Sequence, residues 1–195
     1  MGLRDILTGR HQVQGPAPDR LFAISTAYIT LQTEYSINPT GKAAIVFQPL
    51  ATSEFEATMR EMEDVVRATG GESGCTVASQ DDSYGYRWMV MSSPAGQPSI
   101  EDLAVAINAV SDSIEGAGHG ERLLCAVFGF TQSPGSQPVY FIYNYKRGYW
   151  YPFVPAPGEE QRSTERELQL KAQMANELPI EPELERWFPL WGIPI

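Results

Sequence analysis

The stretch from residue 122 to 154 constrains the fold most, because it holds three strand-like runs joined by short connections. Residues 123–130 are nearly all apolar, as in a buried central strand. Residues 139–145 and 149–154 are rich in aromatic and β-branched side chains, and only a tight turn at 146–148 separates them. Connections this short join antiparallel neighbours. The stretch therefore predicts an antiparallel sheet.

Hydrophobic periodicity predicts four further strands and three helices. The strands are expected at 27–35, 43–48, 75–80 and 84–92, and the helices at 53–70, 99–117 and 163–178. This order predicts an α+β fold, with an antiparallel sheet of about seven strands and three main helices packed on one face. Two approximate ββα repeats, offset by about 45 residues, are a second interpretation of the first six elements.

Polar residues mark the helix ends. Ser53 with Glu56, and Thr164 with Glu167, have the spacing of a capping box, and Ser99 is expected to cap the helix between them. Glu167 and Lys171 are also spaced as a favourable ion pair on one helix face.

Residues 1–17 are predicted to form a leader and linker, and residues 18–195 a single α+β domain with a C-terminal aromatic tail. The leader carries apolar residues at helical spacing, followed by a Gly- and Pro-containing stretch. The tail aromatics would either cap the domain's own core or dock on a partner.

Charge and composition exclude several classes of function. The formal net charge is −10 and basic residues are scattered, whereas phosphate backbones require clustered Lys and Arg. The charge therefore argues against nucleic acid as a partner, and it favours a basic protein partner over an acidic one. No apolar run approaches the ~20 residues that span a bilayer. The two cysteines form no disulfide framework, which favours a reduced, cytoplasmic protein.

The residues that support catalysis are few. A cysteine nucleophile needs a nearby base, and the only plausible pair is Cys125 with His119. Neither cysteine nor histidine has the spacing of a zinc site, and the glycines at 70–74 follow a helix instead of opening one, unlike a phosphate cradle. We therefore predict no catalytic residue, no metal and no cofactor.

Aromatic residues are instead the most prominent candidates for function. Aromatic strands usually fill a core, but Tyr, Trp and Arg also dominate binding hot spots. The predicted protein interface consists of Tyr86, Trp88, Tyr145, Lys146, Arg147, Tyr149, Trp150, Tyr151, Trp187 and Trp191.

Four stretches together resemble a known family. They are MGLRDILTGR at 1–10, DDSYGYRW at 81–88, YKRGYWYPF at 145–153, and the ending LPIE followed by RWFPLWG within 178–192. The chain resembles the PspA-associated protein PspAB family over almost its full length. The resemblance implies an association with phage-shock protein A, a peripheral protein that protects the inner membrane under envelope stress. It implies a pathway, without a mechanism.

These observations favour a non-enzymatic accessory or adaptor protein of the PspA membrane-stress response, acting through protein–protein interaction. Its partner would be PspA or a neighbour in that system, and a homodimer is an open alternative. Two rival functions are a small cysteine-dependent hydrolase and a chaperone-like module that binds peptides.

Overall fold

One antiparallel sheet of six strands forms the centre of the molecule in the computed structural model, which describes residues 18–134 and 137–195. The strands are β1 (Ile37–Phe47), β2 (Thr76–Asp81), β3 (Arg87–Ser92), β4 (Leu123–Gln132), β5 (Gln137–Asn144) and β6 (Tyr149–Phe153). They are arranged in the order β2-β3-β1-β4-β5-β6. The central pair β1–β4 joins a hairpin, β2–β3, to a three-stranded meander, β4–β5–β6.

The helices pack on one face of this sheet. They are α1 (Pro18–Phe22), α2 (Ile24–Tyr35), α3 (Ser53–Ser73), α4 (Ile100–Gly116) and α5 (Thr164–Gln173). Their buried side chains form one apolar cluster with side chains from β1, β3, β4, β5 and β6. The predicted α+β class, with helices over an antiparallel sheet, is confirmed. Among the described helices, none has the length and apolar character needed to cross a bilayer.

Alternation along the strands gives the sheet two apolar faces. In β1, Ile45 and Phe47 belong to the helix-side cluster, whereas Ala44 and Val46 belong to a second cluster on the opposite face. The tail, residues 187–195, packs on this second face through Trp187, Leu190, Trp191, Ile193 and Ile195. Of the two possibilities open for the tail, the structure therefore shows it covering the protein's own sheet.

The predicted strand at 27–35 is wrong, because this segment lies in α2. Ile24, Ala27 and Leu31 are fully buried, and their spacing of three and four residues places them on one helical face. Packing on the sheet outweighs the β-propensity of the intervening residues. Within residues 18–134 and 137–195, the sheet consequently has six strands instead of seven, and four helices are ten residues or longer instead of three.

The same correction removes the proposed ββα duplication. The first unit lacks its first strand, so only the strand–helix pairs β1–α3 and β3–α4 correspond. Strand β1 begins at Ile37, before the predicted start at residue 43, and its pairing with β4 is irregular between Pro39 and Ala43. Gly41 lies there with a φ of 75°, a conformation that glycine adopts without strain.

The capping predictions are partly confirmed. The Ser99 side chain accepts a hydrogen bond from the Asp102 amide at 3.1 Å, as expected for the start of α4. In α3, however, the cap is Thr52 instead of Ser53, and its hydroxyl accepts from the Phe55 amide at 3.3 Å.

Glu167 has a structural role that its spacing did not reveal. Its side chain is buried, and its carboxylate accepts hydrogen bonds from the Val154 amide at 2.9 Å and from Arg162. The Arg162 guanidinium also donates to the Trp187 carbonyl at 2.7 Å. The predicted capping box and the pairing of Glu167 with Lys171 are therefore wrong. The buried carboxylate instead connects α5 to the residue that follows β6 and, through Arg162, to the start of the tail.

Replacement of Glu167 by alanine should lower the free energy of unfolding by about 3 kcal/mol, because it leaves the Arg162 charge and the Val154 amide without their partner. Glu165→Ala is the matched control, since Glu165 is exposed in the same helical turn. Its effect should stay below about 1 kcal/mol. Urea denaturation of both variants provides the comparison. Equal stabilities would show that the buried ion pair contributes nothing.

Candidate functional site

A cleft of about 750 Å³ opens on the second face of the sheet. It lies between the β2–β3 turn, the ends of β4 and β5, and the tail. Aromatic side chains dominate its walls, namely Tyr84, Tyr86, Trp88, Tyr151, Phe188 and Trp191. Lys146 and Glu160 contribute the exposed charges at its edge. Most ligand pockets likewise combine apolar and aromatic walls with a few polar groups.

Asp82 organises the wall of the cleft formed by the β2–β3 turn. One carboxylate oxygen accepts hydrogen bonds from the Tyr84 and Tyr86 amides, at 2.8 and 2.9 Å. The other oxygen accepts from the Trp88 indole N–H at 2.9 Å. Aspartate commonly stabilises turns by bonding to backbone amides two or more residues ahead. Asp82 therefore sets both the course of the turn and the orientation of the Trp88 ring.

Exposed aromatic rings are concentrated at this cleft. Seven large apolar side chains are exposed in the described part of the chain, and three of them line the cleft. Tyr84 is 65% exposed, Phe188 58% and Tyr86 38%. Isolated exposed apolar residues need no explanation, but a cluster marks a surface that a ligand or partner can cover.

Cys125 lies at the floor of the cleft but is poorly suited to nucleophilic chemistry. Its side chain is buried, and this burial raises the pKa of the thiol to about 12. Because the thiolate is the reactive form, a neutral thiol attacks slowly at neutral pH. Cys125 therefore contributes apolar surface to the floor.

His119 does not supply the base that a cysteine nucleophile requires. Its ring packs edge-on against Phe55, with ring centroids 5.1 Å apart. Phe55 belongs to the helix-side cluster, whereas Cys125 belongs to the cluster on the other face of the sheet. The sheet thus separates the two members of the candidate pair. Among the described residues, no group of three or more His, Cys, Asp or Glu is arranged to bind a metal ion.

The structure brings five of the ten candidate interface residues together at the cleft. These are Tyr86, Trp88, Lys146, Tyr151 and Trp191. They come from the β2–β3 hairpin, the β5–β6 connection and the tail, which are far apart in the sequence. A role for them in binding a partner stays a prediction, now with a defined site.

The other five candidates make contacts that hold the fold together. Tyr145, Trp150 and Trp187 are buried, and the Trp150 indole donates to the Arg20 carbonyl at 2.7 Å. The Arg20 guanidinium lies over the Tyr149 ring, 5.1 Å from its centroid. The remaining candidate, Arg147, forms an ion pair with a glutamate at position 181 that is itself buried.

Three of the cleft residues that the predicted interface missed are central to the site. Tyr84 and Phe188 are its most exposed rings, and Asp82 is its organising carboxylate. The signal for Asp82 was present in the sequence, since Asp-Ser-Tyr-Gly has the composition of a side-chain-stabilised turn. No sequence pattern distinguishes the exposed Tyr84 from the buried Tyr145.

The Cys125 thiol should react slowly with an alkylating reagent. In a Cys75→Ala background, which leaves one thiol, alkylation by iodoacetamide near pH 8 should be roughly a thousandfold slower in the native protein than in urea, because the raised pKa removes most of the thiolate. Mass spectrometry of timed samples measures both rates. Similar rates in the two states would show an accessible, ionised cysteine and revive the hydrolase hypothesis.

Comparison with known proteins gives a match along the whole chain. The family model PspAB, described as PspA associated protein B, matches residues 1–195, the whole chain. No curated protein and no solved structure matches the chain. The resemblance first noted in four short stretches is thus confirmed along the full sequence, and the chain belongs to the PspA associated protein B family.

Proposed function

We propose that this protein is a non-enzymatic adaptor of the PspA membrane-stress response and that it docks a protein partner at the aromatic cleft. The family description supports an association with PspA. The main support for this docking site is that three exposed aromatic rings, Tyr84, Tyr86 and Phe188, line one cleft. Tyrosine and tryptophan are enriched among the residues that contribute most to binding energy.

Part of the cleft wall is held in place by hydrogen bonds, which suits the cleft to binding. The Trp88 ring is held by Asp82, and the Tyr151 hydroxyl donates to the Phe188 carbonyl at 3.0 Å. Side chains fixed before binding lose less conformational entropy when a partner arrives. Water displaced from the exposed rings then contributes to affinity.

Charge favours a different protein over a second copy of this chain. Two copies that each carry a net charge of −10 repel one another, whereas a partner with basic groups is attracted. The Lys146 and Glu160 side chains at the edge of the cleft offer one charge of each sign. We accordingly propose PspA or a neighbour in its system as the partner, in the cytoplasm, in preference to a homodimer.

A chaperone-like function would use the same cleft in a less selective way. A chaperone-like module would bind many unfolded segments through the exposed rings, whereas an adaptor would select one partner. The ordered turn at Asp82 favours the selective alternative, because promiscuous surfaces usually rely on flexible side chains that repack.

The double substitution Tyr84→Ala and Tyr86→Ala should weaken binding to purified PspA at least tenfold, because it removes two exposed rings from the cleft. Isothermal titration calorimetry with full-length proteins measures the affinity. The matched control is Ile29→Ala with Leu168→Ala, which removes two apolar side chains exposed on α2 and α5.

The control variant should retain wild-type affinity, and both variants should keep the wild-type melting temperature within a few degrees. Equal affinities of the wild type and the tyrosine variant for PspA would refute docking of PspA at this cleft. Equal losses in both variants would indicate a diffuse apolar attraction instead of a site.

A further inference from the structure

We infer that the cleft accepts an extended, proline-containing segment of its partner. This inference rests on the proposed docking function and adds the chemistry of the bound segment. It draws on how the same face of the sheet already holds a non-helical, proline-containing segment, the protein's own tail.

The tail has neither helix nor strand beyond Arg186, it bends at Gly192, where φ is 68°, and it contains Pro189 and Pro194. Tyrosine hydroxyls of the sheet donate to its backbone carbonyls. Tyr151 donates to the Phe188 carbonyl at 3.0 Å, and Tyr140 to the Ile195 carbonyl at 3.3 Å. The second face therefore binds a non-helical segment through hydrogen bonds from tyrosine hydroxyls to main-chain oxygens.

Aromatic packing completes the contact between the tail and the sheet. The Trp191 ring packs edge-on against Phe153, with ring centroids 5.2 Å apart. The Trp187 ring stacks on Tyr151, with centroids 6.2 Å apart. Such ring pairs add to the energy of burial alone. Hydroxyl donors and ring faces thus act together, as they do in aromatic grooves that bind proline-rich segments.

The cleft continues this surface beside the tail and leaves its donors unused. Tyr151 and Trp191 belong both to the tail contact and to the wall of the cleft. Across the cleft, the Tyr84 and Tyr86 hydroxyls make no hydrogen bond to any described residue, and both rings are exposed. They offer to a second segment the same groups that Tyr151 and Tyr140 offer to the tail.

Backbone chemistry explains why the segment should be extended and contain proline. A helix uses its carbonyls internally, so they are not available to tyrosine hydroxyls along its length. A β-strand needs a free strand edge, whereas the cleft lies over the surface of the sheet. A polyproline-type segment has no internal hydrogen bonds, and proline fixes its shape before binding. The Trp88 N–H already donates to Asp82, so Trp88 can contact the bound segment only through the face of its ring.

Two fluorescein-labelled dodecapeptides test this inference on the full-length protein. One consists of repeated Leu-Pro-Pro, and the other is an amphipathic Leu, Ala, Lys and Glu sequence that forms a helix. Fluorescence anisotropy should show binding of the proline-rich peptide and at least tenfold weaker binding of the helical peptide.

The hydroxyls are tested by Tyr84→Phe with Tyr86→Phe, which keeps both rings and removes only the donors. Affinity for the proline-rich peptide should fall about tenfold, the expected effect of two net hydrogen bonds. Tyr28→Phe is the matched control, because the Tyr28 hydroxyl is exposed and donates to Glu101 at 2.9 Å on the helix side. It should leave the affinity unchanged.

Three results would overturn the inference. They are equal binding of the helical peptide, an unchanged affinity of the double phenylalanine variant, and failure of the proline-rich peptide to bind at millimolar concentration. If one of these results is found and the Tyr84→Ala, Tyr86→Ala variant still loses PspA binding, the cleft docks PspA through a different kind of segment.

If the proline-rich peptide binds but that variant binds PspA as tightly as the wild type does, only the identification of PspA as the ligand of the cleft is refuted.

Discussion

Both faces of the sheet are apolar, and the need to cover each of them governs the rest of the structure. Alternation along β1 sends Ile45 toward the helices and Val46 toward the opposite face. An antiparallel sheet commonly leaves one face exposed to water. Here alternate residues of the strands are apolar on both faces, so exposure of either whole face would be unfavourable. The helices cover the first face, and the tail covers part of the second.

Ion pairs with buried glutamates hold the start of the tail in addition to its apolar packing. Glu167 and Arg162 connect α5 to the Trp187 carbonyl, and the Glu181 carboxylate pairs with Arg147 at the β5–β6 turn. Both glutamates are buried, so each has given up water for a guanidinium partner. These pairs specify where the tail begins, and the tyrosine–carbonyl bonds then set its course across the sheet.

The cleft follows from incomplete coverage of the second face. The tail packs against the strands near β5 and β6, while the end of the sheet beside the β2–β3 turn stays open. The turn places its aromatic side chains around this gap because Asp82 directs the backbone and the Trp88 ring. The site thus lies where the tail does not cover the apolar second face, and exposed apolar patches of this kind often mark protein interfaces.

The sequence by itself determined the local features and the family: the antiparallel strands of 122–154, the Ser99 cap, and membership in the PspA associated protein B family. Tertiary structure decided the rest. It made residues 24–35 a helix, turned Glu167 inward, and separated buried Trp150 from exposed Tyr84. The physical reason is that periodicity and capping act between near neighbours, whereas burial depends on contacts such as that between Trp150 and Arg20, 130 residues apart.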